Sequence, residues 1–125
     1  MTAAIGLAGL GKQVAFIEGG DVGGDCTNVG CVPSKNLIHL AKNFKPGMNP
    51  DEVMLEVTRK RDALRDKETE EVMHLENVTF VPGWAKFTGP REVKVSMSDG
   101  TTRTLTADHI VISTGARPRM LDIPG

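Results

Sequence analysis

Along the chain the spacing of apolar positions changes period repeatedly, and each change marks an element. Thr2-Ala3-Ala4-Ile5-Gly6-Leu7-Ala8-Gly9-Leu10-Gly11 is rich in small residues and reads as a short buried helix capped by Gly11. Gln13 to Glu18 is an apolar run closed by one carboxylate before Gly19 and Gly20, the pattern of a buried strand. A helix over about 32–44 follows, broken by Lys45-Pro46-Gly47-Met48-Asn49-Pro50. Asp51 opens a long charged helix to about Glu76, with Val53, Val57, Leu64, Val72 and Leu75 as a discontinuous apolar face. From Val78 the period falls to two. Val78 to Val81 and Trp84 to Phe87 read as strands joined by a Pro82-Gly83 turn. Glu92 to Met97 alternates up to Ser98-Asp99-Gly100, and Thr101 to Thr106 returns, giving a β-meander over about 78–107. Ile110-Val111-Ile112 then centres a closing strand over 109–115.

The order of these elements predicts an α/β fold. Helix, strand and acidic strand end are the second and third parts of a βαβ unit, and an acidic residue ending such a strand hydrogen-bonds a ribose hydroxyl in dinucleotide folds. Glu18 fits that role. The opening strand and glycine turn are expected to be missing: Gly6, Gly9 and Gly11 lack the Gly-x-Gly-x-x-Gly order, and no strand precedes them. They read as close packing of helix on sheet.

Charge and length narrow the function. With 15 basic and 16 acidic residues, the net charge of −1 gives no electrostatic case for nucleic acid or an anionic membrane. Apolar runs fall short of the roughly 18 residues a bilayer span needs, and the N-terminus carries no basic region with a signal core, so a cytoplasmic protein is expected. The 125 residues suffice for one modest domain and are few for an enzyme holding two dinucleotides and a substrate.

The chemistry concentrates in Gly23-Gly24-Asp25-Cys26-Thr27-Asn28-Val29-Gly30-Cys31-Val32-Pro33-Ser34-Lys35, which holds both cysteines. Their sulfurs can bridge only if the Cα atoms lie about 4.4–6.8 Å apart, so the backbone must reverse; Asn28 and Gly30 tolerate the turn or left-handed conformations needed. Pro33 suits the first turn of a helix, which puts Cys31 at a helix N-terminus, with Lys35 one turn on, where a thiolate is favoured. A redox-active dithiol is the favoured interpretation, in keeping with a reducing compartment. Three alternatives stay open: a structural disulfide, which so short a loop stabilises by only about 2 kcal/mol, a metal site recruiting Asp25 or His39, and two unpaired structural cysteines. His39, His74 and His109 have ordinary packing or solvation roles.

The segment from Gly23 to Lys35 resembles the active-site signature of the FAD-dependent pyridine nucleotide-disulfide oxidoreductases, and most closely their mercuric reductase-like or dihydrolipoamide dehydrogenase-like members. The eight-residue offset from Glu18 to Cys26 also matches. Asp25 stands where the family usually has threonine, beside the phosphate side of the cofactor. Gly83-Trp84-Ala85-Lys86-Phe87 resembles the segment whose alanine backbone meets the adenine. Ile112-Ser113-Thr114-Gly115 resembles the segment closing the first half of the FAD domain, and Ile123-Pro124-Gly125 the sequence just after it.

The resemblance implies a partial Rossmann-like FAD-binding domain, its first strand and glycine loop missing, with an inserted antiparallel β-meander. It implies Cys31 as the flavin-facing sulfur, Cys26 as the interchange thiol, and Glu18, Gly24, Asp25, Lys35, Ala85, Thr114 and Gly115 as cofactor contacts. Electrons would pass from NAD(P)H, bound by a domain outside this chain, through FAD to the Cys26–Cys31 disulfide and on to a disulfide or Hg(II) substrate. The chain by itself is expected to bind FAD weakly or not at all, to be inactive, and to associate with itself, by strand exchange at exposed sheet edges. The competing expectation is a small soft-metal-binding or self-associating interaction module.

Overall fold

A computed structural model of the chain describes residues 1–117, 119, 120, 122 and 123. Among these, four helices and four strands follow in the order α1 (Thr2–Gly9), β1 (Val14–Glu18), α2 (Gly24–Asn28), α3 (Cys31–Lys42), α4 (Pro50–His74), β2 (Val78–Gly89), β3 (Glu92–Met97) and β4 (Thr102–Thr106). Of the resemblance at Ile123-Pro124-Gly125, Pro124 and Gly125 lie outside the described residues.

Helix α1 stops where its glycine directs. Gly11 adopts a φ of 73°, its N–H donates to the Ala8 carbonyl at 2.8 Å, and the Lys12 N–H reaches the Leu7 carbonyl at 3.1 Å. Two carbonyls of the last turn gain partners from beyond the helix in this way, the Schellman arrangement. Burial is less complete than expected: Ala4 and Ala8 are buried, whereas Ile5, Leu7 and Leu10 are exposed. A helix packed on one side buries only the stripe that positions four apart share.

The sheet runs β1-β2-β3-β4. β1 pairs in parallel with the first part of β2, from Val14 opposite Val78 to Glu18 opposite Pro82, and Phe16 stacks on Phe80 with ring centroids 5.9 Å apart. From Gly83 onward β2 pairs antiparallel with β3, and β3 with β4. The expected turn at Pro82-Gly83 is therefore absent: β2 is one continuous strand. Pro82, which has no N–H, ends the parallel ladder just before the antiparallel one begins. Gly83 is required for another reason, since a Cβ there would sit 2.6 Å from the Ser96 carbonyl oxygen. Val81, Val93 and Val95 form the core of this region, with Ile17, Met97 and Leu105 against them.

Helix α4 begins one residue before its predicted start. Asn49 Oδ1 accepts the Asp51 N–H at 3.0 Å and Pro50 takes the first helical position, where its missing N–H costs nothing. Val53, Val57 and Val72 are buried as expected, with Leu64 and Leu75 half-buried. Through this face α4 packs on α2, α3 and β2, and so backs the cysteine segment.

The closing strand expected over 109–115 does not form. Residues 109–117 are irregular, with Ile110, Val111 and Ile112 exposed at 36%, 60% and 67%. Branched residues make a strand only when a ladder partner offsets the ordering entropy, and neither edge of the four-stranded sheet pairs with this segment.

Candidate redox site

The approach to Cys26 is shaped by two left-handed glycines, Gly23 and Gly24, with φ of 99° and 60°. They turn the chain into α2, a five-residue helix that the sequence did not announce, with Cys26 at its centre. Of the turn or left-handed conformations anticipated for the reversal, neither Asn28 nor Gly30 takes the left-handed one: Asn28 ends α2, Gly30 has φ −120° in the bend that follows it, and Asn77 is the one described non-glycine residue with positive φ. Both serve differently. The Asn28 side-chain amide donates to the carbonyls of Val22 and Gly24, each at 3.0 Å, and more weakly to that of Asp21, so it gathers the incoming loop. Its Oδ1 is buried and, among the described residues, has no hydrogen-bond partner. Gly30 permits contact, because a Cβ there would lie 2.9 Å from the Asp25 carbonyl oxygen.

Cys31 is the first residue of α3, as the position of Pro33 predicts, and the Ser34 hydroxyl closes this turn by donating to the Cys31 carbonyl at 3.2 Å. Both cysteines are free and exposed. The Cys26 thiol's pKa lies above the ordinary range, chiefly through its interaction with the neighbouring Cys31 side chain. Desolvation and repulsion from a charged Cys31 push the same way, while the Cys31 backbone and Lys35 pull it down. The two sulfurs are thus within reach of each other, with a cation nearby. Such a pair can lose two electrons and two protons to close a disulfide, or present two soft ligands to one metal ion. Among the described residues no three of His, Cys, Asp and Glu gather as a metal site.

The predicted cofactor residues fall into four groups. Gly24 and Asp25 share α2 with Cys26, and Lys35 lies one turn into α3. Glu18 ends β1, where its carboxylate accepts the Gly20 N–H at 2.9 Å. Ala85 lies on β2 beside Trp84, whose indole covers Gly19 so closely that a Cβ there would approach the ring to 2.5 Å. Thr114 and Gly115 lie in the exposed irregular segment, and among the described residues no hydrogen bond ties either to the other groups. Sequence reading missed Trp84 as the cover of Gly19. It also missed the hydroxyl of Thr27, which donates to Glu68 of α4 at 2.9 Å. No local signal marks a pair 41 positions apart.

All of residues 1–125 match the family described as pyridine nucleotide-disulphide oxidoreductase. The chain belongs to that family. Two relatives of the chain are the mercuric reductase of Serratia marcescens, 34% identical and matched by the whole chain, and the dihydrolipoyl dehydrogenase of Chlorobaculum parvum, 34% identical and matched by 98% of it. Among solved structures, the HOCl-induced flavoprotein disulfide reductase RclA from Escherichia coli aligns over 99% of the chain with a TM-score of 0.84 and 28% identity. The chain spans 31%, 29% and 27% of the lengths of these three proteins. The mixed parallel and antiparallel sheet with its helices matches the Rossmann-like, FAD-binding domain of the disulphide oxidoreductases, as the resemblance implied. Among the described residues, no helix is long and apolar enough to cross a membrane.

Proposed function

We propose that Cys26 and Cys31 are the redox-active pair of a flavin-dependent oxidoreductase that carries electrons from NAD(P)H to a disulfide or Hg(II) substrate in a reducing, cytoplasmic setting. The observation that carries this reading is the pair itself: two exposed, neighbouring thiols, one at the centre of α2 and one opening a 12-residue helix, with Lys35 close by. The Cys26 thiolate attacks a substrate disulfide, forming a mixed disulfide and releasing one thiol. The Cys31 thiolate then attacks the Cys26 sulfur, closes the protein disulfide and releases the second thiol. With Hg(II), both sulfurs act as soft ligands.

The residues present fit FAD at two places. Lys35 supplies a cation beside the dithiol, suited to the negative charge of a reduced ring. Glu18 offers a carboxylate at the carboxyl end of a parallel strand, the place for a ribose hydroxyl. Bound there, FAD would supply the electron pair that reopens the disulfide. Gly24, Asp25, Ala85, Thr114 and Gly115 complete the proposed contacts. Because none of the chain's glycines forms the Gly-x-Gly-x-x-Gly turn, the chain alone is proposed to hold FAD weakly and to show no turnover. Among the described residues β1 has a strand on one side only, which supports self-association by strand exchange.

The test equilibrates the reduced chain with glutathione buffers and maps disulfides by mass spectrometry. A Cys26–Cys31 bond forming in one two-electron step, abolished in Cys26→Ser and Cys31→Ser, is expected; failure to form it at every buffer ratio overturns the proposal. Stoichiometric flavin absorbance in the purified chain would overturn the weak-binding statement, and a monomer by light scattering the self-association.

A further inference from the structure

Thr27, the residue after Cys26, is only 4% exposed, and its hydroxyl has one acceptor, Glu68 Oε2 on α4, at 2.9 Å. The space around this contact is closed by Gly23: a Cβ there would lie 2.6 Å from Thr27 Cβ, 2.7 Å from Thr27 Oγ1, and against the Glu68 carboxylate. One turn earlier on α4, Arg65 Nη1 stands 3.8 Å from Asp21 Oδ2, the other end of the same loop. The longest helix thus grips the cysteine segment from behind, and Glu68 grips it one residue from the interchange thiol. Glu68 therefore meets the cysteine segment through a single side-chain contact that ties α2 to α4.

We propose that Glu68 is a positioning residue for the dithiol: through Thr27 it holds α2 so that the Cys26 sulfur stays over Cys31, and it thereby sets how readily the disulfide closes. This rests on reading Cys26 and Cys31 as a redox pair. The physical reason is a difference between the two oxidation states. In the disulfide the bond itself holds α2 where the peg forms, so bond and peg favour the same geometry. In the dithiol only non-covalent contacts restrain it, and without the peg Cys26 explores more space, which lowers its effective concentration at Cys31.

The reaction measured is protein dithiol plus oxidised glutathione going to protein disulfide plus two reduced glutathione, in the full 125-residue chain. Glu68→Ala and Thr27→Val should each lower this equilibrium constant roughly fivefold, the factor one net hydrogen bond supplies. Glu68→Gln and Thr27→Ser, which keep an acceptor and a donor, should stay within twofold of the parent. The double variant Glu68→Ala/Thr27→Val should be no worse than either single one, because both remove the same contact. Equal constants in the parent, Glu68→Ala and Thr27→Val would overturn the proposal. If the parent forms no Cys26–Cys31 disulfide, the redox reading fails by itself. Amide hydrogen exchange then decides the positioning role: faster exchange at Thr27 and Asn28 in Glu68→Ala, with α4 unchanged, supports it, and unchanged exchange overturns it.

Discussion

Replacing Gly83 by alanine tests the junction on which the sheet depends. In an ordinary strand this change stabilises by about 0.5–1 kcal/mol, because alanine has less backbone freedom to lose. At Gly83 the added methyl meets the Ser96 carbonyl oxygen at 2.6 Å, the Ser96 carbonyl carbon at 3.1 Å and Val95 Cγ1 at 2.8 Å. Two of these are backbone atoms of β3, fixed by its ladders to β2 and β4, and Val95 is wholly buried. None can swing aside as a long side chain would. Relief therefore requires shifting a strand, an overpacking cost of about 1–3 kcal/mol that exceeds the backbone gain. A net loss of about 1–2 kcal/mol lowers the urea midpoint by roughly 1 M at an m-value of about 1.5 kcal/mol per M. Trp84, the sole tryptophan, reports the transition by fluorescence. Gly89→Ala is the control: its methyl would make only an ordinary 3.7 Å contact with Glu92, so its midpoint should stay or rise. If Gly83→Ala is as stable as Gly89→Ala, the account of Gly83 as a close-approach glycine is wrong.

The thiol pair and the hairpin give three further outcomes. Cys31→Ala removes the main cause that raises the Cys26 thiol, so iodoacetamide should alkylate Cys26 with a midpoint at lower pH than in the reduced parent; Lys35→Gln should move that midpoint upward, and identical profiles would refute both assignments. Asp99 accepts the Thr101 N–H at 2.8 Å and its hydroxyl at 2.6 Å, which holds its carboxyl below the usual aspartate range. A lowered folded pKa adds stability above the ordinary carboxyl range and loses it as pH falls through the folded value. Asp99→Ala should therefore unfold earlier than the parent at neutral pH and equally in strong acid, by parallel denaturation curves.

What the sequence made legible was local. The Gly11 cap, the helix breaks at Pro46 and Gly47, and Cys31 at the start of α3 each depend on residues a few positions apart, and each holds. The cysteine motif carried the family without help from packing. What stayed hidden depends on distant partners. Pro82-Gly83 has turn chemistry, but β1 on one side and β3 on the other keep the segment extended. Ile110 to Ile112 has strand chemistry, but no strand of the sheet pairs with it. Asn28 and Gly30 were read for backbone freedom, whereas one gathers carbonyls with its amide and the other lets α2 come close.

The twelve residues of β2 form one covalent rail, roughly 40 Å long, shared by two ladders. Under load or partial denaturation, unzipping that starts at β4 must travel through β3 before it reaches β2, and there it meets a strand still gripped by β1. The outer hairpin can peel away while Glu18 keeps its seat, so damage to the meander is arrested before it reaches the carboxylate at the end of β1.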